Sequence, residues 1–211
     1  MLRYILVTPL LFLSSLLVAQ LQNGQYIHRH LVRADASIVS GYIVKDNLKN
    51  VHLNGNLEYY MDNTISIRGD ANYLLGSNGW TEDSMHLKDN ISIMLGGAYH
   101  FHTNNHFDPY VILQPGIAYT SSYYDAFPGS YTEDPSVKRM YNYKGSLSPL
   151  ASVGFGFNYY FQRFAHLFAE TRYVHGQHLS EAPGPISLQE LRITFGLGFN
   201  LFIIKEKQKP A

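Results

Sequence analysis

His100 and His102 lie at alternate positions, with His106 and Asp108 just beyond them, and this is the spacing in the chain best suited to metal chemistry. Alternate side chains of an extended strand point the same way, as two imidazole ligands require. A third ligand and its geometry do not follow from the spacing, and histidines in a polar mouth ordinarily hydrogen-bond instead. No metal is therefore assigned, and no other cofactor is implied. A second pattern is ionic. Arg33 with Asp35, Arg68 with Asp70 and Glu170 with Arg172 are each two apart, and Glu58 and Arg192 bring the set to four cations and four anions. On one face of a strand such groups can pair along the chain or bridge to a neighbouring strand. The chain has no cysteine, which excludes a disulfide framework, thiolate metal sites, a cysteine nucleophile and a lipoprotein anchor.

Residues two apart act together only on strands, and the sequence supplies strands almost everywhere. In Leu191 to Ile203 the odd positions are all large and apolar, whereas the even ones are Arg192, Thr194, Gly196, Gly198, Asn200 and one Phe. This period of two recurs in Val51 to Met61, Thr64 to Leu75, Leu87 to Phe101, Pro109 to Ser121, Leu147 to Tyr159, Leu167 to His175 and, less clearly, Val32 to Val44. Eight strands are predicted. Asp62 to Asn63, His102 to Asp108 and Tyr160 to His166 are short connections, and Gly76 to His86, Ser122 to Ser146 and Gly176 to Glu190 are long; Lys45 to Asn50 is intermediate. The first stretch, 1–19, has Arg3, an apolar run and a small residue at Ala19, which reads as a secretory signal peptide. That leaves 20–204 for the strand domain and 205–211 as a short tail. Balanced charge, 16 basic against 16 acidic residues, offers no footprint for nucleic acid. With 17 Tyr and 12 Phe and only 15% charged residues, the chain is also too apolar to be disordered.

Alternation fits a soluble barrel with an apolar interior as well as a membrane barrel with an apolar exterior. Nine charged strand residues fall on the polar face: Arg33, Asp35, Glu58, Arg68, Asp70, Lys88, Glu170, Arg172 and Arg192. Only Asp89 falls on the other. That polar face also carries many glycines and alanines, which suit a crowded interior. Aromatic placement decides the matter. On the apolar face, odd strands carry Tyr42, Tyr73, Tyr119 and Tyr173 near one end, and even strands carry Tyr59, Tyr99, Tyr159 and Phe199 near theirs. Up-and-down topology makes two rings of these, matching the girdles of a membrane barrel. The predicted fold is all-β: an eight-stranded antiparallel up-and-down transmembrane barrel, apolar outward, with a filled polar interior.

This pattern, with the segments DPYVILQPGIAY (Asp108 to Tyr119) and LASVGFGFNYYF (Leu150 to Phe161), resembles the superfamily of small eight-stranded outer-membrane β-barrels, including the OmpA membrane domain, OmpX and OmpW. The resemblance covers nearly all of the mature chain. It implies an outer-membrane location with both termini periplasmic, Ser122 to Ser146 extracellular and outer-membrane lipid as surroundings. It also implies that Thr194, Gly196, Phe199 and Leu201 form the polar, glycine and two-hydrophobic pattern read by the outer-membrane assembly machinery. The chain departs from that pattern by running on through Lys205 to Ala211 rather than stopping on an aromatic, and this tail is too short for a cell-wall-binding domain.

Some barrels of this kind are lipid A deacylases, whose signature is a His and a Ser two apart on an outer face. Here His175 is followed two residues on by Gln177, and the nearest hydroxyl and carboxylate are Ser180 and Glu181, so the enzyme reading lacks its nucleophile. Pro115 and Pro149, on neighbouring strands, each remove a ladder donor and mark either a bulge or a lateral gap for apolar molecules, as in OmpW-like carriers. The aromatics of Ser122 to Ser146 could anchor an extracellular ligand or pack on one another. The leading expectation is a non-enzymatic envelope or surface-interaction protein with a lumen plugged by charge pairs. The carrier comes second and an outer-leaflet lipid enzyme third.

Overall fold

The computed structural model describes residues 27–45, 47–79, 85–101, 106–126, 139–179 and 187–202. The predicted signal peptide, the tail, His102, Ser180 and Glu181 lie outside the described residues. Eight strands follow in chain order: β1 (Val32–Ile43), β2 (Leu48–Tyr60), β3 (Ile65–Gly79), β4 (Met85–His100), β5 (Phe107–Ala126), β6 (Arg139–Gln162), β7 (Ala165–Gly176) and β8 (Glu190–Phe202). Each pairs antiparallel with the next, and β8 returns to β1, so the sheet is a closed barrel. Closure leaves no unpaired edge to template association.

The strands form where side chains alternate, and turn chemistry ends them. At the β2–β3 turn the Asp62 side chain accepts from the backbone N–H of Thr64 at 2.6 Å and of Ile65 at 2.7 Å, an Asx turn. Those donors, Thr64 first, hold this exposed carboxyl below the usual carboxylate range. At the β1–β2 turn Asn47 takes φ 51°, a left-handed conformation that asparagine tolerates, and accepts from the Tyr42 hydroxyl at 2.8 Å.

The strands outrun their predicted limits at the long-loop end. The β5–β6 ladder continues from Ser122↔Tyr143 to Ala126↔Arg139, so much of the segment predicted as a loop, Ser122 to Ser146, is a projecting hairpin. Register shifts at Leu87/Asp89 on one flank of β5 and Thr120/Ser122 on the other mark its base. The first of these corrects the parity of Lys88, which turns outward while Leu87 and Asn90 point in. A bulge inserts one extra residue and so reverses the inward and outward parity between the two sides of it.

Apolar side chains cover the outside and polar ones the inside. Phe195 is 70% exposed and Leu113 65%, whereas Arg33 and Arg68 are among the largest fully buried side chains. The interior is polar and salt-bridged, as predicted, with an apolar layer added at each end of the lumen. At the long-loop end Ile43, Leu48, Leu74, Leu150, Val174 and Leu188 cluster inside the barrel. At the short-turn end Ile27 and Leu31 pack on Tyr60 and Tyr160.

Candidate functional site

Between the two apolar layers the lumen holds charge in three tiers. At the short-turn end Arg33 of β1 pairs with Glu58 of β2 and lies 3.5 Å from Asp108 of β5 and 3.8 Å from Asp35. One of its nitrogens donates to the hydroxyls of Tyr60 and Tyr160, each at 2.9 Å. His100, the last residue of β4, sits between two carboxylates, Nδ1 at 2.8 Å from Asp108 and Nε2 at 3.0 Å from Glu58. Tyr60 and Asn158 donate to Asp108 at 3.0 and 2.9 Å, and Ser66 donates to Glu58. His166 of β7 faces Asp35 at 3.0 Å.

The middle tier is a square of alternating charge. Arg68 reaches Asp70 at 2.8 Å and Glu170 at 2.9 Å, and Arg172 reaches Glu170 at 2.7 Å and Asp70 at 3.5 Å. Gln114 donates to Asp70 at 2.7 Å and accepts from Arg172 at 2.6 Å, and the Tyr110 hydroxyl donates to Glu170 at 2.8 Å. In the outer tier Glu190 takes Arg192 at 2.6 Å, Asn50 at 2.7 Å and His52 at 3.0 Å.

Glycines opposite large inward side chains make these tiers possible. A Cβ on Gly41 would overlap the Glu190 carboxylate, and one on Gly156 would stand 2.6 Å from the Tyr110 hydroxyl and 2.8 Å from the Ala169 carbonyl. Gly156→Ala is expected to displace Tyr110 from Glu170 and to cost about 1–3 kcal/mol by overpacking, measured by urea unfolding of the refolded barrel. A loss indistinguishable from zero would mean that Tyr110 is not held there.

Seven of the eight predicted lumen charges (Arg33, Asp35, Glu58, Arg68, Asp70, Glu170 and Arg172) fall within the two inner tiers. Arg192 lies in the outer tier, where it pairs with Glu190, a residue predicted to end a loop. Asp108, Glu190 and the histidines His52, His100 and His166 were not among the predicted lumen charges. Asp108, His166 and Glu190 were assigned to connections, and His52 and His100 lack a charged neighbour two residues away, although alternation already put both on the inward face. His100 and Asp108, weighed as metal ligands, are hydrogen-bonded to each other. Among the described residues no three His, Asp or Glu side chains are placed to hold a metal ion.

Tyr42, Tyr73, Tyr119 and Tyr173 are exposed on the outer face toward the long-loop end, and Tyr59, Tyr99 and Tyr159 toward the short-turn end; Phe199, half-buried, pairs with Ala34 and Ala165. Thr194 points inward, Gly196 stands against Phe168 and the Ala36 carbonyl, and Leu201 is half-buried near the end of β8. His175 faces outward beside the Tyr173 ring. Pro115 and Pro149 both face outward, and the β5–β6 ladder runs through Pro115↔Ala151 and Ile117↔Pro149. The pairing lapses instead on the other edge of Pro115, between Met94↔Gly116 and Gly97↔Leu113 of the β4–β5 ladder. A Pro115 N–H toward Leu95 would have closed those steps. The two strands stay close there, since a Cβ on Gly96 would collide with the Leu113 carbonyl and stand 2.7 Å from the Gln114 Cα.

The closed eight-stranded barrel is shared with solved structures. The chain matches OprG of Pseudomonas aeruginosa, an outer membrane protein, with TM-score 0.58 and 12% identity over 85% of this chain and 100% of that one. It matches Neisserial surface protein A with TM-score 0.53 and 17% identity, over 81% and 96%. It matches the N-terminal β-barrel domain of Pseudomonas aeruginosa OprF with TM-score 0.51 and 14% identity, over 82% and 98%. The fold is that of the small eight-stranded outer-membrane barrels. No protein-family model and no curated protein matches the chain.

Proposed function

We propose that this chain is a non-enzymatic outer-membrane barrel, a plugged wall element whose projecting hairpins face outward. The observation that carries the reading is the filling of the lumen: three tiers of paired charge between two apolar layers. An eight-stranded barrel is only wide enough to be filled by its own side chains, and these are mutually bonded rather than arranged around a water column.

The membrane setting is supported by the outer face. Soluble monomers rarely expose a continuous apolar patch beyond a few hundred Å², whereas here aliphatic and aromatic side chains surround the barrel. The two aromatic levels stand about 20 Å apart, taking about 3.3 Å per residue on tilted strands, a spacing suited to lipid between two interfaces. In this reading the long-loop end is extracellular and both termini are periplasmic. Thr194, Gly196, Phe199 and Leu201 serve assembly, and the β5–β6 hairpin, with Tyr123 and Tyr143 at its base, is the surface for an extracellular ligand.

Reconstitution into planar bilayers at neutral pH tests the plug. Silence of the inserted protein is the expected result, and large, steady open-channel currents would refute it.

A further inference from the structure

The described lumen holds six buried carboxylates, Asp35, Glu58, Asp70, Asp108, Glu170 and Glu190, against four guanidiniums, Arg33, Arg68, Arg172 and Arg192. The middle square balances, and so does Glu190 with Arg192. The excess of two negative charges therefore lies at the short-turn end, where Arg33 alone faces Asp35, Glu58 and Asp108. Charge buried without a partner is costly enough that a fold must neutralise it.

Two imidazoles stand beside these acids, and their geometry differs. His166 approaches Asp35 through Nε2 alone. His100 is held at both ring nitrogens, Nδ1 by Asp108 at 2.8 Å and Nε2 by Glu58 at 3.0 Å. An ionised carboxylate only accepts hydrogen bonds, and a neutral imidazole carries a single N–H. Both contacts can be hydrogen bonds only if both nitrogens bear hydrogen. We infer that His100 is a buried imidazolium, a proton-dependent strut that ties β2, β4 and β5 together and closes the short-turn end of the lumen.

The groups around it leave that role to His100. From β1, Arg33 shares the same two acids but reaches Glu58 and Asp108 through their other oxygens. From β3, Ser66 places its hydroxyl 2.9 Å from Nε2 while donating to Glu58, and Arg68 is engaged by Asp70 and Glu170. Tyr60 and Tyr110 lay their rings 4.6 and 5.6 Å from the imidazole, centroid to centroid. From β6, Asn158 donates to Asp108 and Tyr160 bonds Arg33. From β7, His166 faces Asp35. Among the described residues, no cation besides Arg33 and His100 reaches both Glu58 and Asp108. Loss of the His100 proton would set a lone pair against a carboxylate at hydrogen-bond distance, and the inner tier would loosen.

Nitrogen NMR of the full chain with ring-labelled histidine, refolded in lipid, reads this directly, His100→Gln assigning the signal. Both His100 nitrogens should be protonated at neutral pH and should stay so at alkaline values where free histidine is neutral. A bare nitrogen on His100 at neutral pH, or titration in step with free histidine, overturns the assignment. The second arm rests on the plugged-barrel reading: bilayer conductance should appear as His100 deprotonates, and Glu58→Gln with Asp108→Asn should remove that response. A protonated ring that later deprotonates while the barrel stays shut overturns the strut. A doubly protonated ring in a barrel that already conducts at neutral pH leaves the imidazolium standing and refutes only the plug.

Discussion

Arg68→Ala is expected to lower the stability of the refolded barrel by about 3–5 kcal/mol, the penalty for stranding a fully buried charge. Arg68 is one corner of the middle square, and its removal leaves Asp70 and Glu170 with only Arg172 between them. Tyr110 and Gln114 would still donate to those acids, but a hydroxyl and an amide cannot replace a full positive charge in a dry interior. Adding Glu170→Gln to Arg68→Ala should recover part of the loss, because it removes the charge left unmatched. Lys49→Ala, on the exposed rim of β2, should stay within about 0.5 kcal/mol. Reversible urea unfolding in lipid vesicles supplies all three values. A loss for Arg68→Ala as small as that for Lys49→Ala would mean that the lumen is solvated and its pairs are no stronger than surface ones.

Phe195→Arg should cost about 2–4 kcal/mol in a bilayer, the depth-dependent price of a cation on the lipid face of a barrel. Phe195 pairs with Ile38 on one side and Ala169 on the other, and it lies midway along β8 between Leu191, which neighbours Tyr42 and Tyr173, and Phe199. It is therefore as far from either aromatic level as the strand allows. Phe195→Ala separates the lost ring from the added charge. On a solvated sheet the arginine would cost no more than the alanine, and that outcome would refute the lipid-facing assignment.

Strand number, order and facing were legible because a period of two is a local property. Leu191 to Ile203 shows it without reference to any other segment. Partnership was not legible, since it depends on register and closure. Arg68 and Glu170, 102 residues apart, meet only because β3 and β7 stand across the lumen from each other. The same cause hid Glu190. It reads as the last residue of a loop, yet it opens β8 opposite Ile43 and Val174, where Gly41 and Asn50 make room for its carboxylate. The inward Leu74, Leu150 and Val174 did show in the alternation, on the polar face between outward residues. Polarity assigned to a whole face obscured an apolar layer confined to one end. The projecting β5–β6 hairpin was missed because its tyrosines and polar residues alternate without an apolar face, and a backbone ladder needs none.

The return of β8 to β1 also governs how the molecule comes apart. Every tier draws on both halves of the chain: Arg33 of β1 bonds Tyr160 of β6, Arg68 of β3 bonds Glu170 of β7, and His52 of β2 bonds Glu190 of β8. A partly wound sheet holding only the first strands would leave Arg68 without Glu170 and His52 without Glu190 and would present two open edges. Intermediates of that kind gain little from each added hairpin until the last strand zips, so opening and closing should be a single cooperative event. The β5–β6 extension beyond the Thr120/Ser122 shift is the exception, since its ladder is local to one hairpin and can melt while the ring stays shut.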